Sequence, residues 1–240
     1  MLEALRADRE IDRILMAEEI ELGPQLREVV LLADEAGIEV EAVSRSELDR
    51  QSHTGKHQGV IAVVQDPRYA TVEEMVFLAD ERGAPPLIVV LDGVQDPQNL
   101  GAVARSVNAA GAHGVVIAER RAAGVTPGAV RASAGALEHV LVARAPSVPR
   151  TLQYLRQLGI RVIGLDADAD AEYTDVDLTG PVALVVGSEG EGMSPQSREA
   201  CDLLISIPMH GEIASLNASV SAAVVLYEAV RQRSNRELPK

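Results

Sequence analysis

The pattern of apolar and polar positions changes character near residue 66. Before it, residues 11–16, 38–43 and 59–64 read as short strands. Residues 23–36 space Leu26, Val29, Val30 and Ala33 along one face of a helix. Ser44-Arg45-Ser46-Glu47 sets Ser and Glu three residues apart and fits a helix start. Asp66-Pro67-Arg68 and Gly83-Ala84-Pro85-Pro86 bracket the next span. Proline breaks regular structure, so residues 66–86 read as a linker with one short helix over Val72–Glu81. From Leu87 the apolar runs become nearly continuous, at 87–91, 115–118, 140–143, Arg161–Leu165, 182–186 and 203–207. Helical stretches separate most of them. Strands apolar on both faces, alternating with helices, predict a parallel sheet covered on both sides. The expected organisation is α/β: a small unit over 1–65, the linker 66–86, and a larger unit over 87–240.

Composition narrows the function. No run of about 18 apolar residues exists, so no membrane helix is expected. The charged start, Met1-Leu2-Glu3-Ala4-Leu5-Arg6-Ala7-Asp8, lacks a signal-peptide core, and a soluble cytoplasmic protein is expected. The single Cys201 excludes an internal disulfide and a multi-cysteine zinc site. A net charge of −14 argues against a general nucleic-acid binder. The acid is uneven: residues 1–66 carry 7 basic and 15 acidic side chains, whereas residues 86–240 carry 13 and 17. Any RNA contact therefore rests on local clusters. Only Lys56 and Lys240 are lysines, and arginine suits bidentate phosphate contacts. With one Phe, four Tyr and no Trp, base-stacking platforms are not expected.

Ligands of parallel α/β sheets bind at the carboxyl ends of strands, and three segments there carry candidate chemistry. In the first, Leu91 to Ser106, a helix is expected to begin near Asn99 or Leu100, with Asn99 as its N-cap. Arg105 lies off the apolar face marked by Val103 and Val107. Taken singly, these two residues read as a cap and a solvated cation. The second is Gly187-Ser188-Glu189-Gly190-Glu191-Gly192. Its glycine order is not the G-x-G-x-x-G of dinucleotide binders, and no P-loop lysine follows. Its two carboxylates disfavour a phosphate ligand and suit a cationic one, such as the sulfonium and amino group of S-adenosyl-L-methionine. A plain strand-to-helix turn is the alternative. In the third, Ile207-Pro208-Met209-His210-Gly211, backbone groups around Ile207 and Met209 suit an adenine edge. A helix over 215–230 follows, and its small first residues allow close packing. His53 and His57 stand four apart, but Gly55 lies between them and no third ligand is evident, so no metal is expected. The polar loop at 54–59, with Lys56, better suits RNA.

Together the segments read N-x-x-x-x-x-R, G-S-E-G-x-G and I-P-M-x-G-x-x-x-S-L-N. They resemble the three signatures of the SpoU/TrmH branch of the SPOUT RNA 2′-O-ribose methyltransferases. The match spans about residues 87–233, and Ser133-Ala134-Gly135-Ala136-Leu137-Glu138-His139 resembles a segment of the ribosomal-RNA members. Residues 1–65 resemble the small L30e-like substrate-binding domain of the 23S rRNA guanosine 2′-O-methyltransferases (RlmB type). Those members carry further residues before the match to Glu3-Ala4-Leu5, so a first strand placed there is expected to be absent or short. The resemblance implies a SPOUT domain with a C-terminal trefoil knot, a homodimer built on the C-terminal helix, and S-adenosyl-L-methionine as methyl donor. It implies a donor pocket of Gly187, Gly192, Ile207, Met209, Ser215 and Leu216. Asn99, Arg105, Glu189 and Asn217 form the implied reaction centre, and His53, Lys56 and Arg105 the implied RNA contacts. The expected partner is RNA, 23S rRNA or a ribosomal precursor. The competing readings are a tRNA or antibiotic-resistance rRNA ribose methyltransferase, a non-catalytic RNA-binding protein of this fold, and a dinucleotide oxidoreductase, which the glycine order disfavours.

Overall fold

The computed structural model describes residues 1–7, 10–52, 57–65 and 67–237. The chain divides into two units, Met1–Arg68 and Tyr69–Lys240.

The first unit runs α1 (Leu2–Arg6), β1 (Ile11–Ala17), α2 (Pro24–Glu35), β2 (Glu39–Val43), α3 (Arg45–Gln51) and β3 (Val60–Val64). Central β1 is parallel to β2 and antiparallel to β3. Successive strand residues point to opposite faces, so β1 builds two small cores. Ile14 clusters with Ala4, Leu5, Val29 and Ala33, and Leu15 clusters with Val43 and Leu48. The Ser44 hydroxyl accepts from the Glu47 amide at 3.3 Å and caps α3, as its spacing predicts.

The second unit opens with α4 (Val72–Glu81), β4 (Leu87–Asp92), α5 (Pro97–Ala109), β5 (Gly114–Ala118) and α6 (Pro127–Ala132). After a 3₁₀ turn at Ala136–Glu138 come β6 (Val142–Ala145), α7 (Val148–Gln157), β7 (Arg161–Leu165) and β8 (Ala171–Glu172). β9 (Val182–Gly187), α8 (Pro195–Ala200), β10 (Leu203–Ser206) and α9 (Ala218–Glu237) complete it. The seven strands pair in the order β6-β5-β4-β9-β7-β10-β8, and every pairing is parallel. Leu87, Val89 and Leu91 cluster with α5 and α9 on one face. Ile88 and Val90 cluster with α4, α7 and α8 on the other. Burial on both faces is what the continuous apolar runs encode.

The span expected as a linker holds α4, and Met75 and Ala79 of that helix are fully buried in the second unit. A reciprocal capping box between Thr71 and Glu74 starts it. The proline clusters therefore bracket a helix of the second unit, and residues 69–86 belong to that unit. β6 lies two residues later than its apolar run suggests, and β8 follows no apolar run at all.

A half-buried arginine and a buried histidine fasten the amino-terminal edge of the sheet. Arg233 of α9 donates to the carbonyls of Pro85 (2.7 Å), Pro86 (3.2 Å), Leu178 (3.2 Å) and Gly180 (2.7 Å). Removing it takes a donor from four carbonyls at once, of which, among the described residues, only Pro86 keeps another, the Val182 amide at 2.9 Å. Arg233→Ala is expected to cost about 2–4 kcal/mol in urea unfolding. Arg233→Lys should recover only part, because an ammonium lacks the planar fork. Nearby, His113 is 2% exposed and accepts from the Leu87 amide through Nδ1 at 3.0 Å. Its proton therefore sits on Nε2, which has no hydrogen-bond partner. Burial first, then the Arg82 charge, lowers its pKa from the ordinary histidine value; the Leu87 bond pulls upward, and the Arg233 charge adds a smaller downward push. The folded imidazole thus stays neutral where the unfolded chain takes up a proton. The penalty is absent above about pH 6.5 and grows as pH falls below it. Between about pH 7.5 and pH 5, the wild type should lose more stability than His113→Gln. Parallel pH profiles for the two proteins would exclude this linkage.

Candidate functional site

Because all the strands run one way, their carboxyl ends meet along one edge. There β9 ends at Gly187 and the chain folds straight back on itself. Ser188 and Gly192 exchange backbone hydrogen bonds at 3.0 Å in both directions. A Cβ on Gly187 would lie 2.1 Å from the Gly192 carbonyl carbon and 2.2 Å from the Met193 nitrogen. Gly192 itself has φ +67°, a left-handed conformation that glycine adopts without steric cost. From the neighbouring strand, the Asp92 carboxylate accepts from the Ser194 amide at 2.7 Å and pins the far side of the turn. Asp92 is 9% exposed. It was not among the sequence candidates, and an acid closing an otherwise apolar strand was its signal.

Three segments far apart in sequence converge at this turn. The chain takes Asp96 as the cap of α5, with Pro97 in the first turn, and the Asp96 side chain accepts from the Gln98 amide at 2.9 Å. The expectation that Asn99 caps this helix is thereby corrected: Asp-Pro starts the helix earlier, and the Asn99 side chain is released. Its Nδ2 donates to Glu189 Oε1 at 3.1 Å, and its Oδ1 accepts from Asn217 Nδ2 at 2.9 Å. Asn217 is the residue that caps a helix. Its Oδ1 accepts from the Ser219 amide at 2.9 Å and the Val220 amide at 3.4 Å, so α9 begins at Ala218 rather than at Ser215. That cap fixes the amide orientation and turns Nδ2 toward Asn99 and toward Glu189 Oε1, to which it also donates. Glu189 Oε1 thus receives two amide donors from α5 and the start of α9.

Arg105 is not part of this cluster. It is exposed on α5, with Val103 and Val107 buried beside it, and its guanidinium makes no ion pair or hydrogen bond among the described residues. Six residues after Asn99, it lies about 9 Å further along the helix axis.

Behind Glu189 a cavity of about 380 Å³ opens between the turns after β7, β9 and β10. Gly187, Gly192, Ile207, Met209, Ser215 and Leu216, the whole set expected around the donor, line it. Glu189, Glu191, Asp166 and Asp168 add four carboxylates to the wall. Arg198, the arginine on that wall, is held by Asp166 at 3.2 Å. A cavity so walled favours a cationic ligand over a phosphate. Asp166 and Asp168 follow β7 and were also outside the sequence candidates.

His53 and Lys56 lie outside the described residues. His57 is committed locally: Nδ1 accepts from the Gly59 amide and Nε2 lies 3.0 Å from Asp49.

Residues 86–227 match the SpoU rRNA Methylase family, and residues 1–70 match the RNA 2'-O ribose methyltransferase substrate binding family. This chain belongs to the SpoU rRNA methylase family. It is an RNA methyltransferase of the SpoU/TrmH type. The TrmH family tRNA/rRNA methyltransferase YacO of Bacillus subtilis (strain 168) is 43% identical over 98% of this chain and 93% of its own length. The SpoU methyltransferase AviRb of Streptomyces viridochromogenes, crystallised with AdoMet, superposes with a TM-score of 0.82 at 32% identity. That superposition covers 97% of this chain and 87% of AviRb. The TrmH/SpoU tRNA modifying enzyme of A. aeolicus covers only 68% of this chain and 85% of its own, with a TM-score of 0.58 at 29% identity. Family membership gives the glycine turn a purpose. Its backbone is folded tightly enough to wall a small-molecule cavity, while one of its two carboxylates, Glu189, is fixed by two amides.

Proposed function

We propose that the protein transfers a methyl group from S-adenosyl-L-methionine to a ribose 2′-oxygen of RNA, at a guanosine of 23S rRNA. The observation that carries this reading is the convergence of Asn99, Glu189 and Asn217 on a cavity lined by Gly187, Gly192, Ile207, Met209, Ser215 and Leu216. The residues present fit the donor. Carboxylates face its cationic groups, Ile207, Met209 and Leu216 offer apolar contact to a nucleobase, and the glycine turn leaves room for close backbone approach. When bound, the donor supplies an electrophilic methyl group.

The rest is the work of this chain's own residues. The target 2′-hydroxyl must shed a proton as it attacks. Glu189 Oε2 has no hydrogen bond among the described residues, whereas Oε1 is held by the two asparagines. Glu189 therefore takes the proton, and Asn99 and Asn217 hold it at the required angle. Arg105 offers a guanidinium, which carries donors and no acceptor. It binds the phosphate beside the target ribose and stabilises negative charge on the attacking oxygen. Arg105→Lys, which keeps the charge and loses the bidentate fork, separates these roles.

The two-unit match supports an rRNA target, since the first unit matches a substrate-binding family and the A. aeolicus tRNA enzyme covers 68% of the chain. In this reading residues 1–68 dock the RNA, with His53 and Lys56 among their contacts. The strand order supports a trefoil knot. The chain leaves β7, crosses to β8 beyond the place β10 will occupy, and returns to β9. Later it threads β10 between β7 and β8. On α9, Val220 (46% exposed) and Tyr227 (51% exposed) stand seven residues apart on one face, which supports a homodimer through this helix. Among the described residues no helix is long and apolar enough to cross a membrane. An rRNA substrate puts the work in the cytoplasm.

The test is transfer of a labelled methyl group from S-adenosyl-L-methionine to protein-free 23S rRNA, with tRNA in parallel and the ribose mapped. Label at one 23S guanosine supports the whole reading. Label on tRNA alone keeps the chemistry and discards the target. Donor binding without transfer to either RNA favours the non-catalytic alternative.

A further inference from the structure

The carboxyl edge of the seven-stranded sheet is divided by charge. Around the cavity, the turns after β7, β9 and β10 carry Asp166, Asp168, Glu189, Glu191 and Glu212, and Arg198 among them is engaged by Asp166. The turns after β5 and β6 carry the opposite sign. Arg120 and Arg121 follow β5, and Arg150 lies in the first turn of α7 after β6. All three are exposed, and none has an ion pair or hydrogen bond from its guanidinium among the described residues. Glu119 adjoins them, and Asp96 is engaged in capping α5. At the other end of the sheet Arg82 is exposed, and two further arginines are engaged. There Arg156 is paired with Asp202 at 2.7 Å, and Arg233 is spent on four carbonyls.

The turn that carries Arg120 and Arg121 is fastened at two points. The Ala123 amide donates to the Val94 carbonyl at 2.9 Å, tying it to the turn that precedes Asn99. The Val125 amide donates to the Tyr69 hydroxyl at 3.2 Å. Arg144 of β6 stacks on the same Tyr69 at 3.7 Å from the ring centroid, donates to its hydroxyl at 2.8 Å, and stays exposed. Between these anchors and β5, Arg121 holds φ +53°, a left-handed backbone that glycine would adopt more cheaply. A strained arginine with no partner among the described residues has the form of a residue kept for a ligand.

We infer that Arg120, Arg121, Arg144 and Arg150 form a phosphate-binding track. Along it a single strand of the substrate RNA approaches the reaction centre from the β6 side of the sheet. The inference rests on the RNA methyltransfer reading and adds to it the direction of entry and the residues that supply affinity. It also accounts for RNA binding by a chain of net charge −14. The basic turns meet phosphates, and the acidic turns face the cationic donor.

The test compares two double variants with the same loss of charge, Arg120→Gln/Arg121→Gln and Arg82→Gln/Arg161→Gln, the latter at the amino end of the sheet. Filter binding to protein-free 23S rRNA at several salt concentrations is paired with calorimetry of S-adenosyl-L-methionine binding, which reports an intact cavity. The first variant should bind RNA roughly tenfold more weakly, and its slope of log affinity against log salt should be shallower by about 1.4. Its donor affinity should be unchanged, and the second variant should match the wild type in both. Equal RNA affinity and salt slope in the two variants, alongside normal wild-type methylation, overturns the track and leaves the methyltransfer reading standing. A wild type that binds the donor but neither binds nor methylates 23S rRNA or tRNA removes both.

Discussion

Replacing Glu189 by Gln should slow methyl transfer by about 100-fold or more while leaving donor affinity within about threefold. The substitution keeps the shape of the side chain and its ability to accept from Asn99 Nδ2 and Asn217 Nδ2. It removes the charge and the capacity to take a proton. A change in turnover without a change in donor affinity therefore isolates the proposed base. Asn99→Ala provides the companion measurement. It deletes one of the two donors that hold Glu189 Oε1, at 3.1 Å, without disturbing the cap of α5, which is Asp96. It should lower turnover by about tenfold, with Tm nearly unchanged. Asn217→Ala is less clean. Its Oδ1 caps α9, so about 1 kcal/mol of stability goes with the catalytic effect. Wild-type turnover in Glu189→Gln would overturn the role of the carboxylate, whatever the asparagine variants do.

The strands of this fold were legible because burial on both faces leaves a mark in the sequence that needs no partner to be read. Leu87 to Leu91 and Val182 to Val186 are continuous apolar runs, and they became β4 and the body of β9. β8 left no such mark. Only Ala171 and Glu172 pair, and they do so at the outer edge of the sheet, against β10. The order of the strands depends on pairings between distant segments, which local pattern does not contain. The site divides in the same way. The glycine turn and the six cavity residues were readable as motifs. The state of Asn99 was not, because a local reading made it a cap, and Asp96-Pro97 had already supplied one. What Asn99 does instead depends on Glu189 and Asn217, which lie 90 and 118 residues away. Asp92 was missed for a related reason. Its value lies in the Ser194 amide 102 residues further on, and its own neighbours only show a strand ending.

The three glycines of the turn look alike in sequence, yet their substitutions should differ widely. Gly187→Ala should have the largest effect: donor affinity reduced by more than about 100-fold, and a few kcal/mol lost in unfolding. Its Cβ would sit 2.1 Å from the Gly192 carbon, 2.2 Å from the Met193 nitrogen and 2.4 Å from the Gly192 oxygen. These are backbone atoms, so no rotamer change relieves the clash. The turn must open, and opening it breaks the paired bonds between Ser188 and Gly192 that shape the cavity wall. Gly192→Ala meets no atom within 4 Å, but its φ of +67° is left-handed. It should cost about 1–2 kcal/mol and weaken donor binding less. Gly190→Ala meets nothing within 4 Å and has no positive φ to forbid a side chain. Its donor affinity should stay within about threefold of wild type, inside the usual range for an exposed substitution. Calorimetric titration of the three variants with S-adenosyl-L-methionine, beside their urea unfolding curves, reads the series directly. Equal affinities across the three would mean that the donor does not lie against this turn. A Gly187→Ala protein that unfolds like the wild type and still fails to bind would place the damage in the cavity wall alone.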